Sequence, residues 1–141
     1  MSKLYVVATP IGNLNDFSPR AIEVLNEVDI ILAEDTRHSK ILLNHFSIEK
    51  TMQSYHKFNE KERINLFLNL LQEGKKIALV SDAGTPLICD PGAVIVEELR
   101  KHDIKVTALP GANAVITLLS QLSRKDEEFT LLGFYPKLES K

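Results

Sequence analysis

Short apolar runs alternate with stretches of helical periodicity along almost the whole chain, and this alternation restricts the fold more than any other feature. Lys3-Leu4-Tyr5-Val6-Val7-Ala8, Asp29-Ile30-Ile31-Leu32-Ala33, Ile77-Ala78-Leu79-Val80 and Ile104-Lys105-Val106-Thr107-Ala108-Leu109 are each four to six residues long and bounded by turn residues. Runs of that length and composition read as buried strands. Between them lie helical patterns. Ser18-Pro19 opens one with Ile22, Leu25 and Val28 inward; Ile41, Leu42 and His45 or Phe46 mark the inner side of the next. Ile64, Phe67, Leu68 and Leu71 fall at i, i+3, i+4 and i+7 before the stop at Gly74. Val96 with Leu99, and Val115, Leu118, Leu119 and Leu122, mark two more. Met52 to Tyr55 is expected as a short edge strand, and Phe129-Thr130-Leu131-Leu132 as the start of a last strand. Strands that alternate with helices imply an α/β fold, a mainly parallel sheet with helices on both faces.

The 141 residues suffice for one domain with a real core. No apolar run approaches the ~20 residues needed to span a membrane, and Met1-Ser2-Lys3 lacks a signal-peptide pattern. A cytoplasmic location is the expectation. A single cysteine, Cys89, rules out an internal disulfide framework. The net charge of −2 argues against a stand-alone nucleic-acid binder; a polyanionic partner would need a local patch, another domain or a partner subunit.

Function is concentrated where strands end. Ser81-Asp82-Ala83-Gly84-Thr85-Pro86-Leu87-Ile88-Cys89-Asp90-Pro91-Gly92 follows the run ending at Val80 and is dense in Gly, Pro and small polar residues. Asp90 is expected as the N-cap of the next helix, with Pro91 at its first position. Two further Gly-bearing loops, Pro10 to Asn13 and Pro110 to Ala114, also follow strands. Ordinary connections of this kind take ~2–6 residues, so the long middle loop is unusual. Three such loops at one sheet edge would wall a cleft, because open α/β sheets bind ligands beyond the carboxyl ends of their strands. The dinucleotide fingerprint and the P-loop are both absent. Asp82 and Asp90 would oppose a polyphosphate and suit a ligand with hydroxyls and positive charge.

Glu34-Asp35-Thr36-Arg37 ends another strand, either as a polar cluster facing that edge or as a plain helix start. His56 is a candidate base or a plain loop residue. His38 and His45 could share a helix face, but no third ligand has matching spacing, and no metal site is expected. Cys89 has no nearby histidine to activate it and is read as a packing or hydrogen-bonding residue.

Four segments carry a closer resemblance: Tyr5-Val6-Val7-Ala8-Thr9-Pro10-Ile11-Gly12-Asn13-Leu14, Ala33-Glu34-Asp35-Thr36-Arg37, Leu79 to Pro86 with Asp90-Pro91-Gly92, and Pro110-Gly111. In this order they resemble the small-subunit ribosomal RNA methyltransferases of the tetrapyrrole methylase superfamily, and the similarity runs from Leu4 to about Pro136. The resemblance implies S-adenosylmethionine as methyl donor and the ribose 2′-hydroxyl of a cytidine in small-subunit rRNA as acceptor. It implies donor contacts at Pro10, Gly12, Ser81, Asp82, Ala83, Gly84, Thr85, Asp90, Pro91, Gly92, Ala112 and Ala114. Glu34, Asp35 and Arg37 match the family's motif. Glu34, Asp35 and His56 are the candidate bases for the hydroxyl proton. The resemblance also implies a homodimer.

Asn113 and Ser123-Arg124-Lys125 depart from the family's pattern. So does length. Residues 1–132 are expected to form the donor-binding domain, and 133–141 a linker towards a C-terminal domain that the 141 residues do not contain. Weak or absent methyl transfer by the chain alone follows as an expectation. The alternatives are a tetrapyrrole (porphyrinogen or precorrin) methyltransferase and a non-catalytic ligand-binding or dimerisation module.

Overall fold

The computed structural model describes residues 3–123, 125 and 127–135. Five strands form one sheet: β1 (Lys3–Val7), β2 (Ile30–Ala33), β3 (Thr51–Ser54), β4 (Lys76–Val80) and β5 (Lys105–Leu109), in the order β3-β2-β4-β1-β5. Every pairing is parallel, with Lys3 opposite both Lys76 and Lys105. The helices are α1 (Pro19–Glu27), α2 (Thr36–His45), α3 (Glu60–Gln72), α4 (Ala93–Lys101) and α5 (Ala114–Ser120). The α/β class and the short edge strand β3 are as the sequence implies.

The period-2 alternation of the central strands sorts the core into two layers. Tyr5, Val7, Ile31, Ala33, Ala78 and Val80 face α1 and α2, where Ala21, Val24, Leu25 and Leu43 meet them. Leu4, Leu32, Ile77 and Leu79 face the other side, against Phe67, Leu68 and Leu71 of α3 and Ile95 and Leu99 of α4. Each central side chain is thus covered, which is why these strands read as continuous apolar runs.

The layering places the ligand edge. The helices that follow β1 and β2 lie on one face, and those that follow β3 and β4 on the other. Strand β4 lies between β2 and β1, so the helix that follows it leaves for the face opposite to the helices that follow both neighbours. That divergence opens crevices at the carboxyl ends of the strands, the topological switch point of an open sheet.

Several local expectations are corrected. Helix α4 starts at Ala93 with Gly92 as N-cap and no side-chain bond; Asp90 and Pro91 belong to the preceding loop. Leu87 and Cys89 in that loop hold positive φ, 71° and 62°, outside the helical region, and Gly92 at φ 131° makes the final turn into the helix. In α1 the buried side is Ala21, Val24 and Leu25, with Ile22 only partly covered. In α2 it is Ser39 and Leu43, while Ile41 is 70% exposed. Helix α5 buries no residue. Residues 127–135 form neither strand nor helix, and Phe129, Leu131 and Leu132 are exposed: an apolar run becomes a strand only where a neighbour takes its backbone hydrogen bonds. Arg124, Asp126 and 136–141 lie outside the described residues, and with them most of the expected linker.

Candidate functional site

Hydrogen bonds tie the three Gly-bearing loops together at the carboxyl edge of the sheet. Thr9 and Gly84 exchange two backbone bonds of 2.9 and 3.0 Å, an isolated antiparallel bridge between the first and middle loops. The Thr9 hydroxyl donates to the Ser81 carbonyl at 3.1 Å, and the Ser81 hydroxyl to the Gly84 carbonyl at 2.7 Å. Thr85 donates to the Ala112 carbonyl at 2.9 Å, which joins the middle loop to the third. Gly84 sits at φ 84°, the left-handed region that favours glycine. A Cβ there would also press on Ile11 at 3.3 Å.

The loops wall a cleft of about 220 Å³. Ala83, Gly84, Thr85, Asp90 and Ala114 line it among the expected donor contacts. Ile11, Ile88, Cys89, Asn113, Val115 and Phe134 line it as well and were not expected. Cys89 is exposed on this wall and is not the packing residue that its size suggests. Asn113 caps α5, its side-chain oxygen accepting from the Ile116 amide at 3.1 Å, so the departure at this position keeps the helix start intact.

The other expected contacts stand elsewhere. Ser81 is buried and its hydroxyl is engaged with Gly84, and Gly92 is buried against Leu79 and Leu87; both brace the cleft without lining it. Pro10 and Asp82 line a second hollow of about 150 Å³, with Leu14, His38 and Ile41. Pro91 lines a third, of about 300 Å³, with Glu34, Lys57, Glu60 and the shared Asp90. Gly12 is exposed and lines none of the three. Ala112 contributes its carbonyl to Thr85.

The Glu34–Arg37 segment divides. Asp35 is the N-cap of α2 and accepts from the amides of Arg37 and His38 at 2.9 and 3.4 Å. These amides hold its carboxyl below the usual carboxylate range. The Arg37 guanidinium reaches Asp35 at 3.6 Å and is otherwise in solvent. The Asp35 amide donates to Asp82 at 3.3 Å, and a His38 ring nitrogen lies 3.1 Å from the Asp82 carbonyl oxygen. Glu34 alone of the segment turns into a hollow. Burial first, then the charges of Asp82 and Asp90, raise its pKa above the ordinary value, against an opposing influence of His56. Asp90 is raised too, by burial and by Asp82. His56 spends its Nδ1 on the Phe58 amide at 3.3 Å and its own amide on Asn59 at 2.8 Å. The edge therefore gathers three carboxyls, with Lys57 lining the hollow that Glu34 and Asp90 share. Among the described residues, no group of three His, Cys, Asp or Glu could hold a metal ion.

Of the missed residues, Leu14 carried a signal as an apolar side chain in a polar loop, whereas Ile41 reads from its spacing as an inward residue of α2 and is exposed instead. Ile88 and Phe134 carried none that periodicity could reveal.

Comparison with known proteins agrees with this architecture. Residues 3–129 match the family model of the tetrapyrrole (corrin/porphyrin) methylases. The chain is 51% identical over 134 residues to a protein of Escherichia coli O157:H7 named ribosomal RNA small subunit methyltransferase I, covering 95% of this chain and 47% of that one. It is 48% identical to the Pasteurella multocida protein of the same name (94% and 47% covered). Against the Thermotoga maritima protein of that name it is 47% identical (97% and 62% covered). The chain thus spans about half the length of most of these relatives. The crystal structure of uroporphyrin-III-C-methyltransferase from Thermus thermophilus superposes with a TM-score of 0.67 at 21% identity, covering 85% of this chain and 52% of that one. The cobalt precorrin-4 methyltransferase structure gives 0.63 at 18%, covering 84% and 49%. At such identities these two likenesses speak to fold alone. The three bridged loops, the sheet order and the matched residues together establish that the chain belongs to the tetrapyrrole (corrin/porphyrin) methylase family.

Proposed function

We propose that the chain is the donor-binding portion of an S-adenosylmethionine-dependent enzyme that methylates the 2′-hydroxyl of a cytidine ribose in small-subunit rRNA. The observation that carries this reading is the set of three interlocked loops around the 220 Å³ cleft. Small residues and free backbone there let a ligand come close, and Asp90 on its wall can accept from ribose hydroxyls or an amino group. The relatives' shared name supports rRNA as substrate, and we read the working assembly as a homodimer.

The cleft fits the donor in chemistry. The donor supplies a methyl group on a sulfonium, whose positive charge Asp90 on the cleft wall favours. The residues of this chain have two tasks. Ala83, Gly84, Thr85 and Ala114 shape the wall that orients the bound molecule, and alignment alone lowers a barrier by several kcal/mol. Glu34 is the best-placed base: it faces a hollow that shares Asp90 with the cleft, and its raised pKa makes it a better proton acceptor than an ordinary carboxylate. Asp35, committed to capping α2, positions that segment.

Calorimetric titration of the chain with S-adenosylmethionine tests the donor site, and saturable heat is expected. Stripped small ribosomal subunits and a porphyrinogen are then offered in parallel, to the chain and to the chain extended by the remaining half that its relatives carry. Methyl transfer to rRNA is expected from the extended chain and little or none from the chain alone. Absence of donor binding by both would overturn the reading, and transfer to the porphyrinogen alone would move the protein to the tetrapyrrole branch.

A further inference from the structure

The donor cleft is not the only hollow that the bridged loops shape. On the far side of the Thr9–Gly84 bridge lies the 150 Å³ hollow between the first loop and the start of α2. Its walls are Pro10, Leu14, Ile41 and Leu42, and His38 and Asp82 stand among them. Ile41 is 70% exposed and Leu14 40%, an unusual outlay of apolar surface on two segments that are otherwise polar. No core residue depends on either for cover. At about 150 Å³ against the 220 Å³ of the donor cleft, this smaller and apolar hollow suits a single ring. Arg37, its side chain 92% exposed, stands one helical turn before Ile41, and Lys40 is exposed next to Ile41 in sequence, where it lines a neighbouring hollow with Asn44 and Lys50. An apolar slot flanked by cations fits a nucleotide, with the base inside and phosphates at the rim. Neighbouring Asp82 belongs to the same loop that walls the donor cleft.

We infer that this hollow seats the base of the acceptor nucleotide, held between Leu14 and Ile41, with Arg37 and Lys40 on the flanking phosphates. The inference rests on the function proposed above and adds where the RNA enters. It makes Leu14 and Ile41 specificity-determining residues. It also brings the acceptor ribose to the rim shared with the donor loop.

The test uses a short strand of stable abasic ribose-phosphate units bearing one central cytidine, and the same strand wholly abasic, with S-adenosylhomocysteine present. The wild-type chain is expected to bind the cytidine strand about tenfold more tightly, as burial of one ring allows. Ile41→Ser and Leu14→Ser should each shrink that difference and leave the wholly abasic strand unaffected, a coupling that a general loss of fold would not produce. Arg37→Ala with Lys40→Ala should weaken both strands alike and flatten the salt dependence by about 1.4 in log–log slope, ~0.7 for each phosphate contact. A cytidine preference that survives both serine variants, or no preference in the wild type, overturns the inference. Titration with S-adenosylhomocysteine alone separates the two levels. If it binds while the strands are not distinguished, only this inference falls; if it binds neither the chain nor the extended chain, the proposed function falls with it.

Discussion

Gly111 and Tyr55 show how much single positions decide here. A Cβ on Gly111 would stand 2.6 Å from the Cβ of Ala8, a short and rigid neighbour on the adjacent strand's exit. Gly111→Ala should therefore destabilise by about 1–3 kcal/mol, the usual cost of overpacking, as a lowered midpoint in urea with unchanged slope. Tyr55 is fully buried with no hydrogen-bond partner for its hydroxyl. Burial, and secondarily the nearby Glu60, push its phenol well above the ordinary value. A phenol without a partner gains nothing from its oxygen, so Tyr55→Phe is expected to leave stability within about 1 kcal/mol or raise it. The carboxyls of the edge behave alike. Glu34 and Asp90 have raised folded-state pKa values, burial being the first cause in each. The sign follows: the folded state holds those protons more tightly than the unfolded chain. Stability linked to them is full below the ordinary carboxylate range and is lost as pH rises through the raised values. Asp90→Asn should stabilise the fold at pH 7 by no more than about 1 kcal/mol, since solvent screens a partly exposed group, read as a higher thermal midpoint, and the gain should vanish in acid. Glu34→Gln should lower turnover of the extended chain on rRNA by about 10²-fold or more with donor affinity intact. An unchanged rate would remove Glu34 from the role of base.

At the scale of elements, caps and crossings do the positioning. Ser18 accepts from the Ala21 amide at 3.1 Å with Pro19 at the first helical position, the arrangement the sequence announces. Ser18→Ala should cost about 1 kcal/mol, read in the same urea titration. Asp35 caps α2 in the same manner, so Asp35→Ala should lower the thermal midpoint and Asp35→Asn should lower it less. A pure catalytic role would not produce that order. Strand and helix identity was legible because a short continuous apolar run, as in Lys76–Val80, and a 3.6-residue period, as in Glu60–Gln72, differ plainly. The start of α4 was not, because Asp90-Pro91 has the chemistry of a cap while Gly92, at φ 131°, makes the final turn into the helix. Nor was the fate of Phe129 to Leu132, since a parallel strand exists only where another strand receives it. Three elements, α2, the middle loop and the first loop, meet at Asp82, which bonds the Asp35 amide and lies beside His38. Nothing in their spacing along the chain reveals that meeting.

For the molecule as a whole, the described surface leaves Ile116, Leu118, Leu122, Leu132, Phe134 and Tyr135 exposed. A monomer seldom shows so many large apolar side chains near one end. The chain is expected to self-associate reversibly as its concentration rises, seen as a growing sedimentation coefficient, and Leu118→Gln with Leu122→Gln should shift it towards monomer. No helix among the described residues is long and apolar enough to cross a membrane. By itself the amino-acid order determined the element types, the two-sided burial of the sheet and the three turn-rich loops. Those follow from local periodicity and from the backbone demands of Gly and Pro. Only the tertiary structure decided which loops share a wall, that Ser81 and Gly92 brace the cleft while Ile41 and Leu14 stand bare beside it, and that burial and the Asp82 charge raise the proton affinity of Glu34 and Asp90. The reason is physical: these outcomes depend on distances between residues tens of positions apart, which the strand order β3-β2-β4-β1-β5 sets and no local pattern encodes.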